Sequence, residues 1–171
     1  MEPGDVAWVL ASAALVLFMT PGLALFYGGM DRSRNVLNML MMNFWCLLIV
    51  PIVWVAVGWT LAYSGDGKFI GNLDYRFLTD MTITGEDGGT LLLSAIFLGM
   101  FAVITPALIS GAVADRMKFS AWAIFVPVWV VLVYVPISFW IYGGVWTNPD
   151  AEITGWLGAR GSLDFAGGTV I

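Results

Sequence analysis

The stretch Thr90–Phe119, TLLLSAIFLGMFAVITPALISGAVADRMKF, decides the fold. Residues 90–114 carry no charge, a length that crosses the roughly 30 Å hydrocarbon core of a bilayer as one helix. The run stops at Asp115-Arg116-Met117-Lys118. Phe97 and Phe101 lie four apart and share a helical face, while Gly99, Ala102, Ala107 and Gly111 offer the small surfaces that membrane helices use for close contact. The stretch reads as the packed, pore-side helix of a polytopic membrane protein.

Composition agrees. Of 171 residues, 60% are hydrophobic and 11% charged, with a mean hydropathy of +0.87, whereas soluble domains carry about 25% charge. So little charge does not cover a water-facing surface, and the chain is expected in the bilayer. The net charge of -5 sits in loops, and the seven Lys and Arg form no basic stripe, so nucleic acid is not an expected partner. Histidine is absent, which removes the commonest general base and metal ligand and any Ser-His-Asp arrangement. Cys46 is the only cysteine, so no intrachain disulfide forms. With no nucleophile–base pair and no metal-ligand cluster, no catalytic residue, metal or cofactor is expected, and a membrane enzyme is a distant reading.

Outward from the opening stretch, the spans fall at about 6–29, 36–63, 90–114 and 119–145, with the start of a fifth at 164–171, all within one membrane domain, 1–171. Prolines 21, 51, 106, 127 and 136 lie inside the four long runs and predict kinks held by neighbouring helices. Thr20 and Thr105, each before a proline, are expected to bond back to the carbonyls so released. Trp54 and Trp59 fit an interfacial belt. The short loops concentrate Arg32, Arg34, Arg116 and Lys118, while the long polar segments at 64–89 and 146–163 are rich in acids. The positive-inside rule then places the N-terminus outside the cell, and the sequence opens without the basic region of a cleaved signal peptide.

Few residues are candidates for function. Phe97 and Phe101 either face lipid or a neighbouring helix, or form an aromatic constriction that blocks water and attracts a cation through the ring faces. Trp140 and Tyr142 either anchor the interface, or one of them offers a π face to a vestibule; two apart, they point in different directions. Asp164 reads as the N-cap of an apolar run or as a partly buried carboxylate beside a substrate path, and the two roles are compatible. Asp115-Arg116 reads as a helix-end ion pair or a solvated loop. Gly167-Gly168 follows no strand and is not a phosphate loop.

Five segments together resemble one family: MTPGLALFYGGM (19–30), RNVLNMLMMNF (34–44), FAVITPALISGAVADRMKFSAW (101–122), LVYVPISFW (132–140) and LDFAGGTVI (163–171). The chain is similar over essentially its whole length to the N-terminal part of ammonium transporters of the ammonium transporter/methylammonium permease/Rhesus family. The resemblance implies the first half of an all-α, eleven-span fold built from two inverted five-helix repeats, a homotrimer at full length, residence in the plasma membrane, ammonium or ammonia as substrate with methylammonium as analogue, and a cytoplasmic regulatory protein as partner. It implies an outer-gate role for Phe101, with Phe97 one turn above it, cation recruitment by Tyr142 with Phe101, and electrostatic or structural support from Asp164. Tyr142 stands where the family usually has Trp, Phe139 where it often has His, and Leu98 where it often has Gln. The family's two pore histidines and its second repeat are not among these 171 residues, so the chain alone is expected not to conduct. A membrane-embedded ammonium sensor or scaffold on the same helices is the alternative.

Overall fold

Proline positions and small residues shape the architecture. In the computed structural model, which describes residues 2–65, 67–79, 81, 88–145 and 155–171, four helices are long and apolar enough to cross a membrane. The first is Pro3–Met30, the second Val36–Tyr63, the third Gly88–Ala112 and the fourth Phe119–Tyr142. Asp66, Asp80, Glu86 and Asp87 of the first long polar segment, and residues 146–154 of the second, lie outside the described residues.

The first helix packs on the second and third, and the second also on the third and fourth. The first and third run in the same direction, since Tyr27 near the end of one lies against Gly111 near the end of the other. The third helix is the most enclosed: 56% of its most apolar stretch is buried, against 17% for the first. The opening stretch of the sequence is therefore the inner helix it was expected to be.

Polar side chains hold the helices in register. Asn43 Nδ2 donates to Ser110 Oγ at 3.0 Å, and both residues are fully buried. Trp122 Nε1 donates to the Met42 carbonyl at 2.8 Å, and Trp54 Nε1 to the Ala95 carbonyl at 2.9 Å. Interhelical hydrogen bonds in membranes contribute about 0.6 kcal/mol each, so they fix register while packing supplies most of the stability.

Two of the kinks are π-helical. Trp54–Gly58 begins three residues after Pro51, and Val130–Tyr134 three residues after Pro127. Proline donates no N–H and displaces the carbonyl four residues back, so the local ladder widens. The carbonyl that Pro127 frees, that of Ala123, accepts Trp45 Nε1 from the second helix at 3.3 Å. Thr105 Oγ1 donates at 2.7 Å to the carbonyl of Phe101, one residue before the carbonyl Pro106 frees. Thr20 departs from expectation: its buried hydroxyl has no partner among the described residues.

Trp54 and Trp59 do not form an interfacial belt. Both are buried, because the widened turn directs Trp54 into a cluster of edge-on contacts with Trp59 at 6.3 Å, Tyr63 at 5.9 Å and Tyr134 at 6.2 Å. The start of a fifth helix is also not seen. Residues 165–170 form turns, with left-handed φ at Ala166 (51°) and Gly167 (76°). Left-handed φ at two successive residues does not continue a right-handed helix.

The two short loops lock together at one end of the bundle. Asp115, with φ of 62°, accepts a hydrogen bond from Asn35 Nδ2 and pairs with Arg32 Nε at 3.3 Å. Its ion-pair partner is thus Arg32 across the loops and not the adjacent Arg116. The Asn35 amide, helped by the neighbouring arginines, holds the Asp115 carboxyl below the usual carboxylate range. At the opposite end the described parts of the long segments fold over the helix ends, with Trp140 Nε1 donating to the Phe69 carbonyl at 2.9 Å.

Candidate functional site

Phe97, Phe101, Tyr142 and Asp164 come from three separate segments, and all four line one cleft of about 310 Å³. The third helix supplies the phenylalanines: one helical turn brings their rings to 5.1 Å between centroids at an interplanar angle of 84°, the edge-to-face geometry that aromatic pairs favour. The fourth helix supplies Tyr142 at its last position. The terminal turns supply Asp164.

Asp164 is fixed from both sides. Its Oδ2 accepts the Tyr142 hydroxyl at 2.8 Å, and its Oδ1 accepts the backbone N–H of Thr169 at 2.7 Å. It therefore caps a local turn, as a carboxylate before an apolar run often does, although the turn is not the start of a helix. Left-handed φ at Gly167 lets this turn close, and the residue is confined: a Cβ there would lie 2.3 Å from Ile171 Cδ1. The carboxylate is half-buried, and among the described residues no Lys or Arg lines the cleft.

Tyr63 and Tyr134 also line the cleft, and their residues are 1% and 2% exposed. Neither was singled out from the sequence. The available signal was Tyr134, a tyrosine two turns inside an apolar run, where a phenol requires both a packing surface and a polar partner. Trp54 buttresses both tyrosines and also approaches Gly99, where a Cβ would lie 2.9 Å from its indole. Gly99 thus lets the third helix approach the second midway between Phe97 and Phe101. Trp140, two residues from Tyr142, points elsewhere, with its ring edge-on to Trp156 at 5.6 Å. Leu98 lines the cleft, while Phe139 is fully buried.

Aromatic faces with a carboxylate in a partly desolvated cleft attract a small monovalent cation. Among the described residues no group of His, Cys, Asp and Glu could hold a metal ion.

The Ammonium Transporter Family matches residues 7–171. The chain is 44% identical over 176 aligned residues to an ammonium transporter of Aquifex aeolicus, covering all of this chain and 39% of that protein. It is 42% identical to an ammonium transporter of Bacillus subtilis, covering all of this chain and 41% of that protein. Among solved structures, Candida albicans Mep2 superposes with a TM-score of 0.82 at 29% identity, over 98% of this chain and 36% of that one. A protein described as "Sensor Amt Protein" superposes with a TM-score of 0.84 at 27% identity, over 97% of this chain and 40% of that one. The chain spans about two fifths of the length of these curated relatives.

Proposed function

Because this chain belongs to the ammonium transporter family, an all-α polytopic family of integral membrane proteins, we propose that its aromatic cleft recruits ammonium at the entrance of a hydrophobic conduction path. The observation that carries this reading is the convergence of Phe97, Phe101, Tyr142 and Asp164 on one cleft. Ring faces and one carboxylate replace part of the hydration shell of a small cation. The Phe97–Phe101 pair forms the gate, since two rings packed edge to face leave no hydrogen-bonding surface for a chain of water.

The cleft opens to the outside in this reading, with the N-terminus outside and the Arg32–Asp115 loops in the cytoplasm of a plasma-membrane protein. Arg32, Arg34, Arg116 and Lys118 in the short loops support that orientation. Conduction requires the parts of the relatives that have no counterpart in these 171 residues, including the far wall of the path, so the segment alone does not conduct. The complete protein is a homotrimer that moves ammonium or ammonia, accepts methylammonium as an analogue and meets a regulatory protein at its cytoplasmic face. Uptake of methylammonium by cells that lack their own ammonium transporters and express the complete gene product tests the reading. Saturable uptake that ammonium inhibits supports it, and uptake no higher than in empty cells refutes it.

A second reading has a specific support. The likeness to the "Sensor Amt Protein" favours a membrane-embedded ammonium sensor on the same helices. Ammonium binding to the purified protein without uptake in cells would select it.

A further inference from the structure

We infer that the Tyr142 hydroxyl is a hydrogen-bond acceptor for the incoming cation, held in that role by Asp164, and so sets the affinity of the recruitment site. The inference rests on the transport reading above and deepens it. A phenol has one proton and two lone pairs. The proton of Tyr142 is committed to Asp164 Oδ2 at 2.8 Å, so what the hydroxyl has left to offer is acceptance. Rotation of the hydroxyl away from the carboxylate is opposed because the carboxylate is itself fixed by the Thr169 N–H at 2.7 Å. The negative charge of Asp164 also polarises the phenol, since hydrogen bonds in series strengthen one another in a partly desolvated site.

An ammonium ion carries four N–H donors and no acceptor. It meets a π face from Phe101 and, at Tyr142, both a π face and an oxygen in contact with a carboxylate, all on the walls of the same cleft. Tyrosine is not interchangeable with tryptophan here. An indole N–H donates and cannot accept, so a tryptophan at this position could brace Asp164 but could not receive an N–H from the cation. Tyr142 is thus a specificity-determining residue whose oxygen, and not only its ring, acts on the substrate.

Two variants of the complete protein separate these roles in a methylammonium and ammonium uptake assay, with membrane amounts normalised by immunoblot. Tyr142→Phe keeps a ring and removes the oxygen. Tyr142→Trp keeps a ring and a donor for Asp164 and removes the acceptor. Loss of one charge-assisted hydrogen bond raises KM by about tenfold, and this is expected in both variants, with transport retained at saturating substrate. A KM within twofold of the unsubstituted protein in either variant overturns the inference. For Tyr142→Trp that result would show that bracing Asp164 and presenting a ring are sufficient. Should one variant fail to reach the membrane, the other decides. Absence of uptake by the unsubstituted protein overturns the transport reading and this inference with it.

Discussion

Tyr142 Oη donates to Asp164 Oδ2 at 2.8 Å across 22 residues of sequence, joining the end of the fourth helix to the turns that follow Leu163. The bond places the Asp164 carboxylate against an aromatic ring and ties together two separate segments of the chain. Since Phe97 and Phe101 line the same cleft, the charge of Asp164 and the two phenylalanine rings form one unit. The expected consequences of changing that unit, or what supports it, differ from residue to residue.

Phe101→Ala removes one ring of the edge-on pair with Phe97, whose centroids are 5.1 Å apart, and widens the cleft. Discrimination between ammonium and methylammonium is expected to relax by up to about tenfold, the scale at which a pocket distinguishes one methyl group. Parallel uptake measurements with the two substrates check this, and an unchanged ratio would remove Phe101 from the gate.

Gly99→Ala places a methyl group 2.9 Å from the Trp54 indole. The ring is buried and hydrogen-bonded to the Ala95 carbonyl at 2.9 Å, so it yields only by losing that bond. Overpacking of this kind costs about 1–3 kcal/mol. Thermal unfolding of the purified protein in detergent is expected to show a lower Tm, whereas Gly29→Ala, with nothing within 4 Å of its Cβ, leaves Tm nearly unchanged.

Asp115 couples the two short loops, and its carboxyl is held below the usual range, chiefly by Asn35. A carboxyl depressed in the folded state adds stability above its unfolded pKa of about 4, and that contribution is lost as pH falls through the folded value. The Tm difference between the unsubstituted protein and Asp115→Asn is therefore expected at pH 7, small because the pair is exposed, and to vanish in acid. A difference that persists well below pH 4 would assign it to another cause.

Much of this was legible in the sequence, for identifiable reasons. Uncharged runs between short basic loops report apolar helices directly, because charge is costly in the bilayer interior; the second long helix of the structure runs Val36–Tyr63. Residue type and position along the spans single out Phe97, Phe101, Tyr142 and Asp164 as candidates, yet their meeting in one cleft depends on helix packing that no local pattern encodes. Trp54 and Trp59 were misjudged because tryptophan near the end of a span reads as a lipid-interface anchor, and the π-helical turn after Pro51 that directs Trp54 inward has no simple sequence signature. Tyr63 and Tyr134 were overlooked for a related reason: their place in the cleft depends on that cluster. The apolar composition of 164–171 predicts helix and does not reveal left-handed φ at an alanine such as Ala166.

Asp164 offers the most direct test. Asp164→Ala removes the charge and both hydrogen bonds, to Tyr142 and Thr169, and is expected to abolish uptake. Asp164→Asn is more discriminating, because the amide oxygen can still accept while the charge is gone. If the cleft recruits a cation, methylammonium uptake by transporter-deficient cells expressing Asp164→Asn in the complete protein falls below about a tenth of the unsubstituted rate at subsaturating substrate, equivalent to about 1.4 kcal/mol. Uptake at the unsubstituted rate, with equal protein in the membrane, would contradict cation recruitment at this cleft.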